Sequence, residues 1–115
     1  MKIKTVQDHI TEIRRMAMTD ISARIASELL NKLSALLGSV NEMWINAEMA
    51  YNRKYEELTK KFEKVTEARA KAKATDEYEN KLKMEGLMSV VTELIRAMKY
   101  TIKIKLQEQK ETRYV

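Results

Sequence analysis

Apolar side chains recur every three or four residues along most of this 115-residue chain, and that spacing is the repeat of a single helical face. The first row is Ile10, Ile13 and Met16, preceded by Thr5-Val6-Gln7-Asp8, which reads as a weak capping box. Thr19-Asp20 then offers a new N-cap, and a Leu-rich row follows through Ile21, Ile25, Leu29, Leu30, Leu33, Leu36 and Leu37. Gly38 and Ser39 come next, and Ser39-Val40-Asn41-Glu42 is a second capping box. Two readings stand at this point. Either the helix stops at Gly38 or it runs through it, since a glycine inside a helix costs only about 1 kcal/mol.

From Val40 the row continues through Trp44, Ala47, Tyr51, Tyr55, Leu58, Phe62, Val65, Ala68 and Ala72. This predicts one long helix that ends in the basic, alanine-rich stretch 68–74. Basic residues suit the negative end of a helix. Thr75 is an N-cap candidate, and Asp76 and Glu77 fill the first turn after it. A third row, Tyr78, Leu82, Leu87, Val91, Leu94, Ile95, Met98, Ile102 and Leu106, predicts a helix from about 76 to about 111. Helices of roughly 35 residues are about 50 Å long, and a two-residue connection makes them antiparallel neighbours. The expected fold is therefore all-α. Shorter N-terminal helices in residues 1–38, an oligomerisation segment, precede a long, coiled-coil-like antiparallel hairpin in 39–115 that turns near 74–75. A bare hairpin has little interior, so an oligomer is expected, with other subunits covering the stem flanks and the Leu-rich segment.

Composition agrees with this pattern. The chain has no Pro and two Gly, Gly38 and Gly86, so turn punctuation is scarce. Charged residues make up 34% and hydrophobic residues 44%. The first figure suits a long-helix protein, and the second is too high for a disordered chain. There is no cysteine, which excludes disulfides and thiolate metal sites and suits a reducing compartment. The start of the chain lacks the apolar stretch of a signal peptide, and no run approaches the roughly 20 apolar residues of a membrane span. The expectation is a cytoplasmic protein without membrane contact.

Charge sharpens the picture when read by segment. Lys and Arg total 22 against 17 Asp and Glu, a net of +5. Residues 1–52 are neutral, 53–73 carry a net +4, 74–95 a net −3 and 96–115 a net +4. Folding the chain at 74/75 sets Arg53 beside Arg96, Asn46 beside Lys103 and Trp44 beside Lys105. Arg53, Lys54, Arg96, Lys99 and Lys103 then crowd the middle of the stem near Trp44, Tyr51 and Tyr100, and Arg69, Lys71 and Lys73 gather at the tip. Cations among aromatic rings are how proteins hold single-stranded nucleic acid: the cations track phosphates and the rings stack on bases. The ordinary reading of any one of these cations is a solvated helix face, and of Tyr51 and Tyr55 the stem core.

Catalytic chemistry is absent from the pattern. His9 is the single histidine, and a lone histidine near the start of the first helix is poor evidence for catalysis. No glycine-rich phosphate loop and no metal-ligand spacing occurs, so no cofactor is expected and the chain reads as a non-enzyme. The eight Met residues suit adaptable packing between helices.

A Trp- and Tyr-bearing long helix beginning Met43-Trp44-Ile45-Asn46, an acid-capped turn, and a closing helix running from Leu94-Ile95-Arg96-Ala97-Met98-Lys99-Tyr100 into basic residues together resemble small helical proteins of tailed phages, the UvsY-like recombination mediators. The resemblance implies a ring-like homo-oligomer that binds single-stranded DNA and works with a recombination or single-strand-binding protein. It places DNA contacts at Arg69, Lys71 and Lys73. The expected function is thus a non-enzymatic, oligomeric accessory protein binding single strands, of the phage recombination or replication mediator kind. The alternative is a helical protein–protein interaction or assembly module, such as a scaffolding, packaging or inhibitor protein, that does not touch nucleic acid. A weaker third reading is a sponge for a small anionic nucleotide.

Overall fold

A computed structural model describes residues 2–113. Four helices account for nearly all of them: α1 (Ile3–Ala17), α2 (Ala23–Lys61), α3 (Val65–Lys73) and α4 (Asp76–Arg113). No strand occurs among the described residues, as expected from the unbroken three- and four-residue spacing.

The chain divides into two compact units, one built from Met1–Ser39 with Ser89–Val115 and the other from Val40–Met88. The first unit therefore takes up the end of α4 as well as the N-terminal helices, which the expected division at residue 38 did not include.

In the first unit, Val6, Ile10, Ile13, Ile21, Ala26, Leu29, Leu33, Leu36, Val91 and Met98 are buried. The Leu-rich row is thus covered by its own chain, and needs no other subunit to bury Leu29, Leu33 and Leu36. α1 begins two residues ahead of Thr5, at Ile3, and its N-cap position, Lys2, makes no side-chain cap. The expected capping box does not form because Val6 sits in the core, four residues from Ile10, and that placement needs helical backbone already at Thr5. The Val6 N–H donates to the Lys2 carbonyl at 3.2 Å. Thr19 closes α1 rather than opening α2, its hydroxyl donating to the Met16 carbonyl at 2.7 Å. The cap of α2 is Ser22, whose Oγ accepts the Ile25 N–H at 3.2 Å and satisfies one of the donors a helix start leaves free.

α2 runs through Gly38 without a break, and neither glycine adopts a positive φ. Ser39 therefore lies inside a helix, and the second capping box is not formed. This settles the two readings in favour of continuity, with Leu36 and Val40 both buried on one face across the glycine.

The second unit departs most from expectation. The helix expected to run on to residue 74 stops at Lys61, and Phe62, Glu63 and Lys64 are non-helical. Tyr51 of α2 packs on Tyr78 of α4, ring centroids 5.4 Å apart, and the Lys81 Nζ lies 4.8 Å from the Tyr51 ring centre. Residues 51 and 78 are equidistant from position 64–65, so the chain reverses at 62–64. A reversal at 74/75 would have paired Tyr78 with Lys71 instead. Residues 74–75 are a step between α3 and α4: the Ala74 N–H donates to Lys71 and the Thr75 N–H to Ala72. Thr75 does cap α4, its Oγ1 accepting the Tyr78 N–H at 3.3 Å. The core of this unit is thin and small-sided, comprising Val40, Ala47, Ala68, Ala72, Met84 and Leu87. Val65 and Leu82, expected on apolar faces, are exposed at 59% and 46%. Lys105 meets Asp20 in the first unit, Nζ to Oδ1 2.6 Å, where a turn at 74/75 would have placed it beside Trp44.

Candidate nucleic-acid interface

The residues of the expected mid-stem cluster fall in different units. Arg53 and Lys54 belong to the second unit, whereas Arg96, Lys99 and Lys103 belong to the first. The cause is the position of the reversal. With Tyr51 against Tyr78, Arg53 falls level with the acidic first turn of α4 rather than with Arg96. Lys54 is half-buried and pairs with Glu57 at 3.5 Å, and Arg96 pairs with Glu93 at 3.0 Å. Lys99 and Lys103 are exposed on α4. The aromatics are dispersed as well. Trp44 and Tyr51 lie in the second unit, and Tyr100, 66% exposed, lies in the first.

What the second unit does gather is a run of cations around the reversal. Lys60, Lys61, Lys64, Arg69, Lys71 and Lys73 are all exposed, against two carboxylates, Glu63 and Glu67, in the same stretch. None of the six enters an ion pair among the described residues. Local sequence explains the arrangement. Ala68 and Ala72, four residues apart, are fully buried and form the seated edge of α3. Their small side chains let α3 lie close to its neighbours, and the long cationic side chains on either side of that edge are left in solvent. Lys71 and Lys73 occupy the last turn of α3, where they also complement the negative end of the helix.

Arg69, Lys71 and Lys73 were legible as a basic group. Lys60, Lys61 and Lys64 were not, because a continuous helix spreads them along a rod. The break at 62–64 brings them to the start of α3. Tyr51 packs on both Tyr55 and Tyr78, and all three are half-buried, short of the full burial weighed for Tyr51 and Tyr55 from sequence. The buried Trp44 Nε1 finds no acceptor among the described residues.

Other surfaces carry less. In the first unit an open groove of about 390 Å³ lies between α1 and α2, floored by Ile13, Leu29 and Leu36 and rimmed by His9, Glu12 and Lys32. Asp20 and Lys105 form an ion pair in this unit, Nζ to Oδ1 2.6 Å, and each shifts the other. The ammonium holds the Asp20 carboxyl below its ordinary value, mainly by hydrogen bonding, and the carboxylate raises Lys105 in the same way. Among the described residues no group of three or more His, Cys, Asp or Glu is placed to hold a metal ion, and no helix is long and apolar enough to cross a membrane.

No family model matches the chain, and no curated protein or solved structure matches it either.

Proposed function

We propose that this chain is a non-enzymatic helical accessory protein that binds single-stranded nucleic acid through α3 and the reversal before it. The supporting observation is the set of six exposed, unpaired cations between residues 60 and 73, set against two carboxylates. Cations without internal partners are free to displace counterions from a phosphate backbone, which is the main source of sequence-independent affinity. In this reading the protein is a cytoplasmic homo-oligomer of the phage recombination or replication mediator kind. Linked copies of one weak site bind a strand with avidity, and a recombinase or single-strand-binding protein is the protein partner.

The second reading, an assembly module, draws support from Ile45, Met49 and Leu82 of the second unit, which are 43%, 48% and 46% exposed. Ile45 and Met49 are one helical turn apart on α2, so they present a common apolar strip to a partner helix.

Fluorescence anisotropy with a labelled single-stranded oligonucleotide separates the two. Engagement of three to four phosphates gives a slope of log K against log salt of about −2 to −3. Reversing Arg69, Lys71 and Lys73 to Glu removes most of that slope, while reversing Arg96, Lys99 and Lys103 leaves most of it. Absence of binding at low salt, or binding indifferent to salt, would refute the nucleic-acid reading. Loss of function on changing Ile45 and Met49, with the charge reversals silent, would favour the assembly module.

A further inference from the structure

The reversal at Phe62–Lys64 is made of residues that have no need to reverse. It contains neither Gly nor Pro, and no residue in it takes a positive φ. Lys64, at the N-cap of α3, has extended backbone at φ −93° and ψ 129° and makes no side-chain cap. The first N–H groups of α3 and the last carbonyls of α2 thus lose the partners that a continuous helix would give them. Phe, Glu and Lys all tolerate helix interiors, and Glu and Lys favour them. The stretches on either side, Glu56–Lys61 and Thr66–Lys73, are rich in helix formers.

We infer that this reversal is a hinge through which two copies of the chain exchange everything that follows it. If Phe62–Lys64 becomes helical, α2 and α3 merge into one helix over 23–73. The chain after the hinge then leaves its own α2 and lies along the α2 of a second copy. The occupant has to be a second copy because only that chain carries the same apolar faces. Each compact unit combines chain from both sides of the hinge, 1–39 with 89–115 and 40–61 with 65–88. The exchange therefore rebuilds both units from the same contacts. The exchanged form differs from the closed form only at the hinge, where it gains the missing helical hydrogen bonds. Short hinges between elements are where such exchange arises. Against it stands only the loss of freedom on association, so the exchanged dimer grows with concentration.

Val65→Pro is the discriminating variant. Val65 is the first residue of α3 and is exposed. Proline is favoured at that position, and it holds the preceding residue in the extended conformation that Lys64 already has. A merged helix, by contrast, cannot accept proline in its interior. Full-length protein is refolded from denaturant over a range of concentrations and its mass read by light scattering. The expected result is a dimer fraction that rises with concentration in the wild type and is lost in Val65→Pro. A wild type that stays monomeric throughout, or a Val65→Pro protein that dimerises as fully, overturns the inference.

Spin labels on Asn52→Cys and Ala74→Cys give a second, independent reading, since the chain has no other cysteine. The labelled chain is diluted into excess unlabelled chain so that only intrachain pairs are seen. The closed form gives a backbone separation of about 10 Å, the spacing of packed helices. The exchanged form gives about 33 Å, from the 1.5 Å rise per residue. A dimer showing only the short separation would mean that the copies associate without exchange, and would overturn the hinge.

Discussion

Replacing Gly38 by alanine should stabilise this protein, and the size of the gain follows from the geometry. Gly38 lies inside α2, fifteen residues after its first residue Ala23, and its φ is not positive. A methyl group built on its Cα meets no atom outside the local helix within 4 Å, and the position is solvent-exposed. Alanine therefore adds no clash and loses no contact. Glycine in a helix interior costs about 0.5–1 kcal/mol relative to alanine, mainly because glycine leaves the unfolded chain more freedom to lose. The predicted gain is that amount, or roughly 2–6 °C in Tm for a chain of this size. Circular dichroism melts and urea unfolding at low protein concentration read it directly. The opposite sign is the informative failure. If the helix ended near residue 38 with glycine in the left-handed conformation that often closes helices, alanine would be strained there and the protein would lose stability. A lowered Tm in Gly38→Ala would thus refute the continuous α2.

Four further outcomes are expected. Leu33→Ala, at a fully buried side chain of the first unit, should cost about 2–5 kcal/mol in urea unfolding. Ser22→Ala should cost about 1 kcal/mol as the loss of an N-cap, whereas Thr5→Ala, inside α1, should change little. The Asp20–Lys105 pair should contribute stability above the ordinary carboxylate range that is lost as pH falls through the lowered pKa of Asp20. Lys105, raised by the same pair, loses its share only as pH rises through its own elevated pKa. Comparing the urea midpoint of wild type and Asp20→Asn from pH 2 to 6 should show the steeper acid loss in the wild type, and molar salt should bring the two curves together. The Arg69/Lys71/Lys73 reversal to Glu should remove most of the salt-dependent oligonucleotide binding in anisotropy while the protein stays folded by circular dichroism, at a cost of about 0.3–1 kcal/mol each for acids at Lys71 and Lys73 in the last turn of α3.

Much of the candidate interface was readable as charge and little of it as place. Arg69, Lys71 and Lys73 stood out because alanines separate them, and Ala68 and Ala72 are the residues that seat α3. The expected mid-stem cluster is divided between the two units because it depended on register. Where a hairpin folds decides which charges become neighbours, and an error of about ten residues in the fold point moves every pairing by about twenty.

The sequence by itself determined that the protein is helical, that α4 starts after a Thr75 cap, and that the Leu-rich row from Ile21 to Leu37 is a core face. These are local matters. Side-chain spacing, capping hydroxyls and the shortage of Gly and Pro each act within a turn or two of backbone. Tertiary structure alone decided that α2 continues through Gly38 and that the chain reverses at Phe62–Lys64. Neither glycine nor the Phe-Glu-Lys triplet dictates its own conformation within the roughly 1 kcal/mol that local propensity commands. Burial of Leu36 and Val40 on either side of Gly38 supports helical backbone at the glycine. The packing of Tyr78 on Tyr51, together with the burial of Ala68 and Ala72, outweighs a few helical hydrogen bonds and bends the chain where its sequence would let it run on.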